Sequence, residues 1–134
     1  MRLYRAFSLA LAVIFAAVGL SFLLMPARVI GTFNALSPAF GLDTVPAVGF
    51  NFYLILAVGY MYLVTLLAVF MYLNPDSTVY PLLLSHGKIA SSVLSFALFA
   101  FHRHFLLYAG NGVVDGCIGV VVLIIYLHKK RAAW

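Results

Sequence analysis

Four long stretches of apolar residues make up most of this chain and leave few folds open to it. They cover residues 6–25, 48–73, 80–101 and 107–127. A helix crosses a bilayer with about 20 mostly apolar residues, so each stretch is long enough to span one. With 66% hydrophobic residues, the chain is too apolar for a soluble domain. The sequence predicts an all-α polytopic membrane protein, a single domain over residues 1–134 with four transmembrane helices in an antiparallel bundle.

A segment of mixed polarity, residues 27–46, separates the first two spans. Its apolar residues recur at spacings close to a helical repeat, and Gly31, Pro38 and Gly41 interrupt it. We expect a short interfacial helix followed by a loop on the periplasmic side, acting either as a membrane anchor or as a lid over the bundle.

Basic residues are concentrated at the two ends of the chain. Arg2 and Arg5 precede the first span, and the run from Lys129 to Arg131 follows the last. Four spans place both termini on one side, which the positive-inside rule makes cytoplasmic. Because the second cluster directly adjoins a span, we interpret it as a topology anchor and expect no nucleic-acid partner. The first apolar run exceeds the roughly 7–15 residues of a signal-peptide core, so we retain it as a helix.

Lys88 and Asp115 lie well inside the third and fourth spans. An ionisable group in hydrocarbon is costly unless it is paired or wetted, which makes both residues candidates for a functional site. At about 1.5 Å per residue, Lys88 lies about 12 Å from the cytoplasmic edge and Asp115 about 18 Å. A lysine side chain can bridge the difference of about 6 Å, so we predict a Lys88–Asp115 ion pair.

Polar residues share a helical face with each of these charges. The stripe on the third span consists of Ser85, Lys88, Ser92 and Ser95. The corresponding stripe on the fourth span consists of Asn111, Asp115 and Gly119. On the second span it consists of Asn51, Tyr62 and Thr65. Three helices thus contribute to one interior polar seam. Its predicted site residues are Lys88, Asp115, Tyr62, Asn111, Ser92 and His86.

Two tyrosines and a histidine lie inside the second and third spans. Tyr60 and Tyr62 lie too far from the membrane surface for an aromatic belt, and a buried phenol needs a hydrogen-bond partner, so at least one should face the interior. His86 is expected to be a hydrogen-bonded interior residue close to Lys88.

The ion pair admits three interpretations. It can lock the bundle, anchor the headgroup of a ligand, or take part in proton movement. The only other acidic residues, Asp43 and Asp76, fall in loops and leave little to carry a proton onward.

Small residues mark one face of the fourth span. Gly112 and Gly116 form a G-x-x-x-G pair, and Gly119 extends it. Such a face lets helices approach closely, either within the chain or between two copies of it. We therefore predict a helix-packing role for the three glycines and leave a homo-oligomer open.

Residues for metal or cofactor chemistry are scattered. The four histidines lie at different depths, so neither haem nor a metal ion is expected. Cys117 is the only cysteine, which excludes an intrachain disulfide, and we interpret it as a packing residue. The sequence contains no recognisable nucleophilic constellation or phosphate-binding loop, so catalysis is not expected.

Several residues around the first span resemble those of a known family. Arg5 before the first span, Gly19, Pro26 at its end and the segment from Arg28 to Phe33 resemble the DoxX-like small four-helix membrane proteins of bacteria. The resemblance implies a bacterial inner-membrane protein acting as an accessory subunit of a larger, possibly redox, membrane complex. It implies no catalytic residue here. The alternative from the polar seam is a binder or carrier of a lipid, quinone or similar amphiphile, with membrane lipids as its surroundings.

Overall fold

The computed structural model describes residues 2–46 and 51–132, without the side chains of residues 51, 52 and 132. Within these residues, the elements in chain order are α1 (Arg2–Leu24), α2 (Pro26–Leu36), a 3-10 turn (Ser37–Phe40), α3 (Asn51–Leu73), α4 (Val79–Phe101) and α5 (Leu106–Ala132). The predicted start of the second span at residue 48, and the Asn51 side chain of its polar stripe, lie outside the described part of the chain.

Four of these helices are long and apolar enough to cross a membrane: α1, α4 and most of α3 and α5. A helix of 23 residues, the length of α1 and α4, is about 35 Å long, and the hydrocarbon core of a bilayer is about 30 Å thick. The prediction of an all-helical chain with four potential spans is confirmed.

A sharp break separates α1 from α2. Met25, between them, has φ −138° and ψ 49°, which lies outside the helical region, and Pro26 then begins α2. Proline suits the first position of a helix because its fixed φ is already helical and its missing N–H would have no partner there. The following 3-10 turn ends at Gly41, whose φ of 65° is accessible to glycine at little cost.

The spans associate as two closely packed helix pairs, α1 with α3 and α4 with α5, and a smaller contact joins α3 to α4. α4 and α5 run in opposite directions, since Ser85 donates a hydrogen bond to the Gly119 carbonyl and Ser92 donates to that of Gly112. The three glycines of α5 permit this approach: a Cβ on Gly116 would lie 2.8 Å from Ser92 Oγ.

Most of the hydrophobic core lies in the half of the molecule nearest the turn between α3 and α4. All four long helices contribute to it: Leu11, Ala12, Phe15, Val64, Ala68, Met71, Leu84 and Val122. A second, smaller cluster of Ile30, Val45 and Phe105 lies at the opposite end, where α2 meets the connection between α4 and α5. A cavity occupies the space between the two clusters.

Hydrogen bonds fix the segment after α2 over that opposite end. The Asn34 side chain accepts a hydrogen bond from the Val45 backbone N–H at 2.7 Å and donates to the Val45 carbonyl at 2.9 Å. The Asp43 N–H donates to the His104 carbonyl at 3.2 Å. The segment is thereby tied both to α2 and to the connection between α4 and α5.

Candidate functional site

The structure brings Lys88 and Asp115 together in the interior. Lys88 Nζ donates a hydrogen bond to Asp115 Oδ1 at 2.7 Å, and the two residues are only 2% and 4% exposed. Each charge alone would be strongly disfavoured at this depth, so the pairing is what allows either to be buried. The pair connects α4 to α5 near the middle of both helices.

Two aromatic rings complete the surroundings of the ammonium group. Lys88 Nζ lies 4.5 Å from the centre of the Phe15 ring and 5.1 Å from that of Tyr60, distances at which a cation is attracted to a ring face. The Tyr60 hydroxyl donates to the Gly87 carbonyl at 3.1 Å. Phe15 belongs to α1, Tyr60 to α3 and Asp115 to α5, so the Lys88 side chain contacts groups from the three other long helices.

The ion pair forms one end of a cavity of about 410 Å³ between the two helix pairs. Its walls are mainly apolar side chains of α1, α3 and α5, and Pro26 and Ile30 border its far end beneath α2. On α5 the lining runs from Leu107 to Ile118, about 16 Å along the helix axis. The cavity is therefore elongated, with charged groups towards one end and apolar walls along its length.

Apart from the ion pair and the phenols of Tyr53, Tyr60 and Tyr108, the polar side chains that line the cavity are Ser91, Ser95 and Asn111. The Asn111 amide donates to Ser95 Oγ at 2.8 Å and to Ser91 Oγ at 3.3 Å. Both amide protons are thus engaged, which leaves the amide oxygen as an acceptor. These polar groups lie together on the α4–α5 side of the cavity.

The cavity is open at its side as well as bounded by helices. Ile14 of α1 and Val114 of α5 both line it, and they are 51% and 56% exposed. We call this opening between α1 and α5 the lateral portal, defined by Ile14, Val18 and Val114. Because all three are apolar, the portal suits a molecule that arrives from an apolar phase.

Two of the predicted site residues face away from the seam, and those predictions are wrong. Tyr62 is 66% exposed, and His86 is exposed with Nδ1 2.9 Å from the Leu82 carbonyl oxygen of its own helix. Residues two positions apart in an α-helix are about 200° apart around its axis. Tyr62 therefore points outward because Tyr60 points inward, and His86 points outward because Lys88 points inward.

The same geometry corrects the interpretation of Cys117 as a packing residue. It lies two positions after Asp115 and is exposed on the outer surface of α5.

Other predicted residues lie in the contact between α4 and α5 rather than in the cavity. Ser92 directs its hydroxyl to the Gly112 carbonyl at 2.6 Å, and Gly116 and Gly119 approach α4 where a Cβ would meet Ser92 and Ile89. Lys88, Asp115 and Asn111 are the predicted site residues that do line the cavity.

Sequence reasoning did not single out two of the groups near the ion pair, Phe15 and Ser91. Ser91 carried a usable signal, because it lies three residues after Lys88 and four before Ser95 and so belongs to the same side of α4. Tyr60 was one of two candidates for the interior. Nothing in the local sequence distinguishes Phe15 from the other apolar residues of α1.

Among the described residues, no three histidine, cysteine or acidic side chains lie close enough together to hold a metal ion.

Comparisons with known proteins return no match: no family model fits the chain, and no curated protein or solved structure is significantly similar to it. The resemblance to the DoxX-like proteins gains no support from them.

Proposed function

We propose that this protein is a non-enzymatic membrane protein that binds an amphiphilic small molecule in the cavity between its two helix pairs. The observation that carries the proposal is the combination of a 410 Å³ volume, apolar walls and a localised set of polar groups. Sites for small molecules have roughly 300–1,000 Å³ of volume, mostly apolar lining and a few polar groups that orient the ligand. An apolar chain would occupy the walls, with its headgroup beside Ser95, Asn111 and the ion pair.

The proposal includes a membrane topology. We take the four long helices to cross an inner membrane as an antiparallel bundle with both termini in the cytoplasm, and α2 to lie at the periplasmic interface. The amphipathic sequence of α2 and the basic termini support this arrangement. The cavity would then lie in the periplasmic half of the bilayer, beneath α2, with the lateral portal facing lipid.

Filling the cavity tests the proposal. Ala57 lines it from α3, so Ala57→Phe would place a ring in the volume the ligand needs. Ala90→Phe is the matched control, because Ala90 is exposed on α4 and does not line the cavity. The protein would be extracted directly into native-lipid nanodiscs, and bound small molecules would be identified and counted by mass spectrometry against empty nanodiscs.

We expect wild type and Ala90→Phe to retain about one amphiphile per chain. Ala57→Phe should retain about tenfold less amphiphile, or less still. Added ligand should also raise the unfolding temperature of the first two proteins only, since binding to the folded state stabilises it. Equal retention by all three folded proteins would rule the cavity out as the site.

The accessory-subunit hypothesis stays a prediction. It requires a protein partner on the outward faces of the bundle, and the same purification tests it. A stoichiometric partner protein that copurifies equally with wild type and Ala57→Phe, without any bound amphiphile, would favour that function over ligand binding.

A further inference from the structure

The groups that face the cavity set conditions on the headgroup of a bound molecule, and this inference rests on the proposed function. We propose that the cavity selects an uncharged headgroup carrying a hydrogen-bond-accepting oxygen, such as the carbonyl of an ester or ketone.

The site contains one positive and one negative charge, and they already neutralise each other. Lys88 and Asp115 are in direct contact at 2.7 Å and almost fully buried. An anionic headgroup would have to compete with Asp115 for the ammonium and would leave a net negative charge in the interior. Breaking a buried pair in this way is strongly unfavourable, so an acid or a phosphate is disfavoured.

A cationic headgroup meets the equivalent obstacle. It would have to draw Asp115 away from Lys88, and the aromatic faces that could stabilise a cation already lie against Nζ, namely Phe15 at 4.5 Å and Tyr60 at 5.1 Å. The occupant that keeps the site neutral is itself uncharged.

Hydrogen-bond donors remain for such a headgroup. The ammonium group has three N–H donors, and among the described residues its hydrogen-bond acceptor is Asp115 Oδ1. Ser95 Oγ accepts a hydrogen bond from Asn111, which leaves its own proton to donate. Lys88, Ser95 and Asn111 all line the cavity. A carbonyl oxygen in the cavity can therefore accept hydrogen bonds from the Lys88 and Ser95 donors that the contacts above do not use.

The arrangement of these groups also favours a single chain with a terminal or near-terminal head. The charged, amide and serine side chains lie on the α4–α5 side, whereas apolar and aromatic side chains of α1 and α3 face them across the cavity. Beyond Asn111, the lining towards Leu107 and Ile30 is apolar again, apart from the phenols of Tyr108 and Tyr53. A linear molecule can therefore lie along the roughly 16 Å of lining with one polar group engaged.

The test compares probes that share a C12 chain and differ in the head: methyl dodecanoate, dodecane-1-sulfonate, dodecyltrimethylammonium and dodecane. Full-length protein in nanodiscs would be dialysed to equilibrium against each probe at low micromolar concentration. Retained probe would be quantified by mass spectrometry against empty nanodiscs. The permanent charges of the second and third probes make their ionisation independent of pH.

We expect methyl dodecanoate to be retained at least about tenfold more strongly than either charged probe and about three- to tenfold more strongly than dodecane. Ser95→Ala should abolish most of the preference for the ester over dodecane while leaving dodecane retention unchanged. Ser92→Ala, on the same helix, removes a hydroxyl that is directed to the Gly112 carbonyl, so it should keep the preference.

The possible failures are distinguishable. Retention of the sulfonate or the ammonium probe equal to that of the ester, blocked by Ala57→Phe, would overturn the uncharged-head inference and leave cavity binding intact. An unchanged ester preference in Ser95→Ala would overturn the assignment of its donor. No specific retention of any probe by folded wild type would overturn the inference and the proposed function together.

Discussion

At the scale of single residues, Lys88 and Asp115 each depend on the other for their burial. The two side chains are buried next to aromatic rings and apolar groups, where an unpaired charge has no water to solvate it. A pair in such a place adds little stability compared with apolar residues of the same size, but removal of one partner leaves the other uncompensated. Its clearest signature is therefore the coupling between the two residues.

Lys88→Met should lower the free energy of unfolding by about 3–5 kcal/mol because it leaves the Asp115 carboxylate buried alone. Asp115→Asn should have a similar effect through Lys88. The double variant should recover most of the loss, since neither charge remains. Reversible unfolding in mixed micelles, followed by circular dichroism, would give the four free energies. A double variant as unstable as the sum of the single changes would contradict the pairing.

At the scale of helices, the approach of α4 to α5 depends on residues without a side chain. A Cβ on Gly119 would lie 2.8 Å from Ile89 Cγ1 and 3.1 Å from the Ile89 backbone nitrogen, and the Gly119 carbonyl also accepts from Ser85. Backbone cannot move aside as a flexible side-chain end can. The glycine face of α5 thus packs against α4 within this chain, which is one of the two roles predicted for it.

Gly119→Ala should destabilise the protein by about 1–3 kcal/mol, because α5 must shift away from α4 to make room for the methyl group. Gly59→Ala on α3 is the control: nothing lies within 4 Å of its Cβ position, and alanine favours a helix over glycine by up to about 1 kcal/mol. The same unfolding measurement compares them. Equal losses in both variants would mean that close packing at Gly119 is not the cause.

At the scale of the whole molecule, the structure brings the start of α1 close to the end of α5. Lys129 Nζ near the end of α5 lies 4.2 Å from the centre of the Tyr4 ring near the start of α1, and Lys129 also donates to the Ser77 carbonyl at 3.4 Å. The basic residues of both termini are therefore on one side, together with the turn between α3 and α4. The cavity and α2 lie towards the other.

The topology proposed above, with both termini in the cytoplasm, predicts that both termini react from that side. Single cysteines added at either end of a Cys117→Ser protein should be protected from an impermeant maleimide in intact cells and become reactive after permeabilisation. A cysteine at Phe40, which is 66% exposed in the turn after α2, should react in intact cells. Labelling of the termini but not of Phe40→Cys would reverse the orientation, and labelling of both would contradict four spans.

The amino-acid sequence alone predicted the surroundings and the elements. Four long apolar runs are typical of chains that cross a bilayer, and a bilayer requires the backbone to satisfy its hydrogen bonds within helices. Helical periodicity also determined relative facing. It predicted that the serine stripe shares a side with Lys88.

Tertiary structure decided which of the alternatives is realised. The rotation of each helix about its own axis depends on how all four pack, so local sequence could not choose Tyr60 over Tyr62. The outward position of His86 could have been predicted, because it lies two residues before Lys88 and so on the opposite side of α4. The presence of Phe15 beside Lys88 depends on α1, which is far away in the sequence. The cavity itself arises because close packing ends at the ion pair, and a volume between helices is a property of their arrangement that no single segment encodes.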